Sequence, residues 1–363
     1  MPRTAPSSDH ATRVNESHRR RVAAAAVGQA FATSPVRKCE SFRPSVAGTK
    51  LAMRRGMSRP RAVLPNRTYL VTRRVARRHF LLRPDPDGTV QQLYWYFTAV
   101  IALQLGIQVH CVQVLSNHMH EVLTDTRGNL PKFFELRNRL LANAVKCHRG
   151  WPEEVFSRTA MSCVELLTTE SIVDKIAYVI TNCVTAFLVR SPRAWPGAKV
   201  LVNDIGLRVV RVRRPDIYLD ADNPQWPESV ELPLTLPHQL SRDYGDRDAA
   251  CRAIQRVVDD KVQAAHAAAR RDGHSFKNAE HVMRAKVTSR SASWEPFGSR
   301  FPLFSAAGNT SAAARWLRCR HMFLEAYRAS LERLKRGVRK VLFPPGTWKL
   351  KQSYGVSTAP ELA

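Results

Sequence analysis

Between residues 67 and 200 the hydrophobic positions follow two periods, one typical of strands and one typical of helices. Short runs rich in β-branched and aromatic residues predict strands, and apolar residues that return every three or four positions predict helices. In chain order these are a strand at 69–75, a helix at 90–105, strands at 109–115 and 118–124, and helices at 130–148 and 170–190. The order favours an α+β fold with an antiparallel sheet and helices packed on one face.

The rest of the chain is predicted to be mostly helical. The pattern predicts a basic strand at 207–213, an irregular connection at 215–237, helices at 247–271 and 313–336, and a turn at 343–348 before a short strand. We therefore divide the chain into four parts. They are a disordered basic arm at 1–62, a domain at 63–200, a connecting segment at 201–240 and a helical accessory region at 241–363.

The charge of the chain points to a polyanionic partner. Its 363 residues carry 57 Lys and Arg against 30 Asp and Glu, a formal net charge of +27. Nucleic acid is the favoured partner, and an anionic membrane surface is the weaker alternative. The chain has no run of eighteen or more apolar residues, so we expect no membrane span. Seven scattered cysteines without a Cys-x-x-Cys pair fit a reducing, cytoplasmic and nucleoid-associated location.

Two histidines, His118 and His120, stand two positions apart where a buried strand follows a turn. Side chains on a strand alternate between faces, so both imidazoles would point the same way, roughly 6.5–7 Å apart. Two imidazoles at that spacing can bind one metal ion. Glu121 should face the opposite side of the strand. The alternative is a pair of surface histidines beside a turn.

A helix further along the chain carries a tyrosine on its polar side. Its polar residues form one stripe, which consists of Asp174, Tyr178, Thr181, Asn182 and Thr185. Lys175 borders Tyr178 one turn back. A phenol is a weak nucleophile at neutral pH because its pKa is near ~10, but a nearby cation or a metal on the phosphate can activate it. The alternative is an amphipathic tyrosine at the edge of the apolar face.

The cluster Tyr94-Trp95-Tyr96-Phe97 allows two interpretations. Aromatic side chains can stack on nucleobases, but inside a helix of this pattern they more often belong to the core. The core interpretation is the favoured one.

Together the two motifs resemble a known family. Asn117-His118-Met119-His120 is similar to the His-hydrophobic-His motif of the single-tyrosine HUH transposases. The run from Tyr178 to Val184 resembles the Tyr-x-x-x-Asn-Pro-Val run of their REP-associated branch, and 58 residues separate His120 from Tyr178. The resemblance covers about residues 67 to 200. It departs at Cys183, which stands where the family usually has proline.

The resemblance implies a ferredoxin-like HUH core, a DNA hairpin as substrate and a 5′-phosphotyrosine intermediate. Tyr178 would be the nucleophile, and His118, His120 and Asn182 would hold a divalent metal, Mg²⁺ or Mn²⁺ rather than Zn²⁺. Lys175 could favour the phenolate. The arginines of the first predicted strand and turn are natural phosphate contacts, or simply a solvated basic turn: Arg73, Arg74, Arg77 and Arg78.

Three functions stay open at this point. The first is a metal-dependent single-strand DNA endonuclease and strand transferase, a transposase. The second is a domesticated protein that binds structured DNA without cutting it. The third, less favoured because Glu121 should face away, is a hydrolase that activates water. Some relatives are dimers and others act as monomers, so a homodimer is compatible with each.

Overall fold

The computed structural model describes residues 60–157, 161–292 and 302–360, so most of the predicted basic arm at 1–62 lies outside the described residues. The architecture is α+β and is built on a central sheet of five strands. In chain order these are β1 Arg67–Arg74, β2 Ile107–Val114, β3 His118–Asp125, β4 Ser162–Leu166 and the short β7 Phe304–Ser305. The spatial order is β2-β3-β1-β4-β7, antiparallel throughout except for the parallel pair β4 and β7.

Three helices pack against the sheet. They are α1 Thr89–Leu105, α2 Leu130–Arg149 and α3 Thr169–Thr185. Gly106 ends α1 with φ 72°, the left-handed conformation that glycine adopts without strain. A capping box formed by Thr168 and Ser171 begins α3. The four aromatic residues Tyr94–Phe97 of α1 are all buried, which confirms the core interpretation.

The helices lie on both faces of the sheet, so the prediction of helices on one face was wrong. Glu121 of β3 contacts Tyr94 of α1 and Arg137 of α2. On the opposite face, Gln113 of β2 donates to the carbonyl of Ile180 in α3. The physical reason is two-sided burial: nearly every residue of β2 and β3 is buried, and both faces of such strands need a cover.

An ion pair with no solvent exposure holds β3 to α2. Arg137 binds Glu121 through two hydrogen bonds of 2.7 Å, and both side chains are 0% exposed. The hydroxyl of Tyr94 donates to the same carboxylate at 2.5 Å. The Arg137 guanidinium also lies 5.1 Å from the centre of the Phe133 ring. Burial lowers the pKa of Arg137, but the Glu121 charge and its hydrogen bonds outweigh this and raise it, so the guanidinium stays charged.

The predicted connecting segment contributes to the same hydrophobic core as the sheet. It forms a hairpin of β5 Val209–Arg213 and β6 Ser229–Pro233, so the stretch 215–237 is not wholly irregular. Trp226 is 2% exposed and meets Phe97 of α1 at 6.4 Å between ring centres. The hydrophobic core of the sheet thus includes residues on both sides of position 200.

The remaining elements are mainly helical. They are α4 His238–Tyr244, α5 Arg247–Arg271, α6 Ala279–Arg284, α7 Thr310–Lys335, α8 Trp348–Tyr354 and the short strands β8 Leu342–Phe343 and β9 Ser357–Thr358. The predicted bounds of α5 are confirmed. The predicted strand after the turn at 343–348 was wrong, because residues from Trp348 onward form α8 and β9 follows it. Among the described residues, no helix has the length and apolarity that crossing a bilayer demands.

We expect Arg137→Met to lower the free energy of unfolding by about 3–5 kcal/mol, because it leaves the Glu121 charge buried without a partner. The double variant Glu121→Gln, Arg137→Met should recover most of this loss, since no buried charge remains. Urea unfolding measures both.

The matched control is Arg213→Ala, which removes an exposed ion pair with Glu228 whose side chains are 80% and 76% exposed. It should cost no more than about 1 kcal/mol. A loss of that small size for Arg137→Met would contradict the role of the buried pair.

His110, at an irregularity in β2, should make the fold sensitive to acid. Its ring is buried between the Thr235 carbonyl and the Thr124 hydroxyl, and burial lowers its pKa from 6.5 to about 4. The unfolded chain therefore binds the proton at higher pH than the folded protein. This group's contribution is complete above about pH 6.5 and falls as the pH drops towards 4, by about 2 kcal/mol at pH 5.

Urea unfolding at pH 7.5 and pH 5 tests this expectation. His110→Gln should lower stability at pH 7.5 but remove this part of the pH dependence. His321→Ala, at a side chain that is 71% exposed, should keep the wild-type change in unfolding free energy between the two pH values. An unchanged slope in His110→Gln would show that other groups cause the acid sensitivity.

Candidate functional site

The two motif histidines begin β3 and share the face of the sheet that α3 covers. His118 stands opposite Arg74 of β1, and His120 stands opposite Thr72. Their rings meet edge to face, with centres 4.7 Å apart. Met119 and Glu121 alternate with them and point to the α2 face, where Arg137 contacts both. The predicted shared face of the histidines and the opposite direction of Glu121 are both confirmed.

Each imidazole is oriented through its Nδ1 atom. The Asn117 side-chain oxygen lies 2.6 Å from Nδ1 of His118 and accepts its proton. The Thr72 hydroxyl lies 2.8 Å from Nδ1 of His120. A proton on Nδ1 leaves the lone pair of each ring on Nε2, the atom that can bind a metal. His120 is 3% exposed and His118 is half-buried.

Tyr178 of α3 reaches the same place. Its hydroxyl lies 3.4 Å from Nε2 of His120, and the two rings meet edge to face with centres 5.1 Å apart. The side chain is half-buried rather than enclosed. A strand and a helix therefore bring together an imidazole couple and an aromatic hydroxyl that lies 58 positions after His120.

Burial keeps His120 neutral. It lowers the pKa of the imidazole well below its usual value, and the neighbouring His118 and Arg74 lower it further. A neutral imidazole is the form that binds a metal ion. The low dielectric that disfavours the charged ring would also strengthen its interaction with a bound cation.

The other predicted residues of α3 have different surroundings. Asn182 lies one helical turn after Tyr178 and is 9% exposed. Lys175 forms an ion pair with Asp174 at 2.8 Å, and Lys261 of α5 binds the same carboxylate at 2.9 Å. The positive charge of Lys175, which was predicted to favour the phenolate, is therefore partly offset by the Asp174 carboxylate.

The predicted phosphate-contacting arginines divide between the two faces of the sheet. Arg74 is beside the histidines, because it pairs across the sheet with His118. Arg73 points the other way, with its guanidinium 5.3 Å from the Phe156 ring centre. Arg77 and Arg78 follow in a turn with φ of 52° and 61°, a left-handed conformation that is strained for residues with a Cβ. Arg77 also pairs with Glu153 at 3.3 Å.

A metal at the histidines would take its remaining ligands from groups such as an amide oxygen or water. Among the described residues, no three side chains of the types His, Cys, Asp and Glu lie close enough to hold an ion. Two imidazoles on one face can supply two nitrogen ligands, and Asn182 on α3 carries an amide oxygen. This donor set fits a divalent cation.

Cys183, at the position where the resemblance departs, uses its backbone donor. The Cys183 N–H binds the Gln113 side-chain oxygen at 3.0 Å, and the Gln113 amide donates to the Ile180 carbonyl at 3.1 Å. These bonds attach α3 to β2 below the site. The helix ends at Thr185, five residues before the predicted end, because Phe187 adopts φ 54°.

Sequence reasoning assigned no role to Thr72, Asn117 or Gln113. Asn117 adjoins His118, so its position in the motif was a usable signal. Thr72 and Gln113 are defined by strand pairing, since both stand opposite His120 in the sheet. That register is not visible in the hydrophobic pattern alone.

Comparison with known proteins gives a weak structural likeness. No protein-family model matches the chain, and no curated protein matches it. A solved structure of a REP-associated tyrosine transposase bound to a REP hairpin is similar in backbone, with a TM-score of 0.34 and 16% sequence identity. The match covers 41% of this chain and 84% of that one.

Proposed function

We propose that this protein is a metal-dependent single-strand DNA endonuclease and strand transferase with Tyr178 as its nucleophile. The observation that carries the proposal is the meeting of the Tyr178 hydroxyl with Nε2 of His120 at 3.4 Å, beside His118 on the same face. The strand order and the sequence strand-helix-strand-strand-helix-strand support a ferredoxin-like core of the HUH type, with α3 covering its second face.

In the proposed reaction the Tyr178 oxygen bonds to the phosphorus of a phosphodiester and the bond from phosphorus to the 3′-oxygen breaks. The phenol loses its proton to water, which reaches the half-buried hydroxyl, and the leaving 3′-oxygen gains one. The products are a 5′-phosphotyrosyl adduct and a free 3′-hydroxyl. In a later step the 3′-hydroxyl of another DNA end attacks the phosphotyrosyl bond and releases Tyr178. The adduct conserves the energy of the broken phosphodiester bond, so no nucleotide cofactor is needed.

Nε2 of His118 and of His120 would hold the metal, with Asn182 as the third protein ligand. When bound, the cation would draw charge from the non-bridging phosphate oxygens and so favour attack by the phenol. Mg²⁺ and Mn²⁺ are the preferred candidates. The Asn117 oxygen holds His118 in the tautomer that this role requires, and the Thr72 hydroxyl would do the same for His120 by accepting from its Nδ1. Lys175, which is paired with Asp174, would favour the phenolate form of Tyr178.

The net charge of +27 supports DNA as the partner, because phosphate contacts supply most of the affinity of such proteins. Arg74 stands nearest the histidines in the sheet, and Arg77 and Arg78 extend the basic surface from the end of β1. Arg73 would act from the opposite face. A homodimer and a nucleoid-associated, cytoplasmic location belong to the same proposal.

We expect the protein, with Mn²⁺ and a single-stranded hairpin oligonucleotide, to form a protein–DNA adduct that survives denaturing electrophoresis. Tyr178→Phe should lower adduct formation by about 10³-fold or more, because it removes the only atom that forms the bond. The matched control is Tyr354→Phe, at a tyrosine that is 64% exposed on α8, and it should form the adduct normally.

The same assay separates the other two functions. Tight hairpin binding without an adduct in wild-type protein would indicate a domesticated DNA-binding protein, to which the departure at Cys183 points. Cleavage that persists in Tyr178→Phe would indicate a hydrolase that activates water. The burial of Glu121 in its pair with Arg137 opposes that last function, since no carboxylate of β3 then faces the histidines.

Metal binding is testable without activity. Thr72→Val keeps the side-chain volume but removes the oxygen that binds Nδ1 of His120, so the affinity for Mn²⁺ should fall about 10- to 100-fold. Calorimetric titration of the DNA-free protein measures it. His120→Ala should bind still more weakly.

The control for this titration is Thr310→Val, at an exposed threonine that begins α7. It should bind Mn²⁺ like the wild type. Equal affinity in the wild type, Thr72→Val and His120→Ala would contradict a metal at the histidine couple, whatever the outcome of the adduct assay.

A further inference from the structure

A cluster of aromatic and basic side chains lies where the tyrosine helix ends. Phe187, which follows α3, meets His274 with ring centres 4.9 Å apart and Phe276 at 5.7 Å. His266 of α5 lies 4.8 Å from Phe276, and the Arg190 guanidinium lies 5.5 Å from the same ring centre. We call these five side chains the α3-end cluster.

The cluster is open to solvent on one side. His274 and Arg190 are exposed, whereas Phe187, Phe276 and His266 are half-buried. The rings of His274 and Phe187 are tilted by 35° from parallel, and His274 is the more exposed of the two. An open groove along α5, which His266 and Arg270 help to line, borders the cluster.

Hydrophobic packing explains only part of the arrangement. Phe276 packs against the small core that contains Leu115, Cys183 and Trp195. His274 is exposed and does not belong to that core, and its ring still lies against Phe187. A row of ring contacts thus leads from Phe276 at the core to an exposed imidazole that a flat ligand could reach.

The backbone at Phe187 is held in a conformation that disfavours its side chain. Its φ of 54° occupies the position after a helix end where glycine is usual. Its N–H binds the Val184 carbonyl, the Leu188 N–H binds the Cys183 carbonyl, and its own carbonyl accepts from the Lys277 N–H. A bulky residue kept at a strained position is a signal of function rather than of packing alone.

The cluster lies beyond the candidate nucleophile along the helix direction. Phe187 follows Tyr178 by nine residues, and at 1.5 Å per residue these span about 13 Å along that direction. A single strand of a few nucleotides is long enough to span such a separation. Arg190 contacts the Phe276 ring, Lys277 follows Phe276 in the chain, and Arg270 lines the neighbouring groove. Their positive charge would suit the phosphates of a bound strand.

We propose that the α3-end cluster is a stacking platform for the unpaired bases of single-stranded DNA that passes the tyrosine site. A base would stack on the outer face of His274 and extend the layers of His274 and Phe187, while Arg190 would contact the adjoining phosphate. Every base has a flat π face, so the platform would read the presence of unpaired bases and not their sequence. This proposal rests on the proposed function, because it supposes that DNA lies at Tyr178.

The test measures binding in the Tyr178→Phe background, so that no adduct forms. The probes are a mixed-sequence single strand of about 16 nucleotides and the same strand with abasic sites in place of its central bases. His274→Ala removes the outer ring at an exposed position and should weaken binding of the first probe on the order of 10-fold. Binding of the abasic probe should be the same with and without the substitution.

The matched control is His321→Ala, which removes another histidine from a position 71% exposed on α7 and should change neither affinity. Arg190→Lys keeps the charge but loses the flat guanidinium, and should weaken the binding of both probes. This loss should be smaller than the loss that His274→Ala causes for the base-containing probe. In a further measurement, 2-aminopurine placed in the centre of the strand should lose fluorescence on binding, and the loss should be smaller in His274→Ala.

Equal affinity of His274→Ala and its parent for the base-containing probe, together with an unchanged 2-aminopurine signal, would overturn the platform. That result would leave the nuclease proposal intact if the wild type still forms an adduct. The reverse result, base-dependent binding that requires His274 without any adduct in the wild type, would support the platform and overturn the nuclease.

Discussion

The buried ion pair between Glu121 and Arg137 determines which way β3 faces. Because side chains alternate along a strand, a slip of one residue would move Glu121 to the α3 face and turn His118 and His120 towards α2. The slipped strand would leave Arg137, which is wholly buried, without its carboxylate. The cost of an unpaired buried charge therefore also keeps the two imidazoles on the face of Tyr178.

The candidate site also depends on contacts from several strands and helices. Thr72 of β1 and Asn117 of the preceding turn bind the Nδ1 atoms, and α3 supplies the phenol. The Val75 N–H binds the Asn117 carbonyl, so the turn that carries His118 is also attached to the end of β1. Both imidazoles thus depend on the pairing of β1 with β3, which makes the central pair of strands the rigid part of the candidate site.

Local patterns in the sequence predicted features that depend on a single strand or helix. They did not predict features that depend on how two elements pack together. Alternation placed His118 and His120 together, and the helical period gave the bounds of α5. β2 is buried on both faces even though polar residues interrupt its apolar run, and the order of elements suggested cover on one face only. The role of Thr72 could be predicted only from the register of β1 and β3. The end of α3 was not predicted, because glycine is the residue expected at the left-handed position that Phe187 occupies. Trp226 is buried although its surroundings, rich in proline and acidic residues, resemble a loop.

The departure at Cys183 has a physical counterpart in Gln113. The side-chain oxygen of Gln113 is buried and accepts a hydrogen bond from the Cys183 N–H, while its amide group donates to the Ile180 carbonyl. Proline has no N–H, so at position 183 it would leave that oxygen without this donor, at a cost of about 1–3 kcal/mol. Gln113 stands beside His120 in the sheet, and Cys183 lies five residues after Tyr178. The pair thus connects the strand face of the histidines to the helix of the tyrosine, and holds α3 in place without the kink that a proline would introduce.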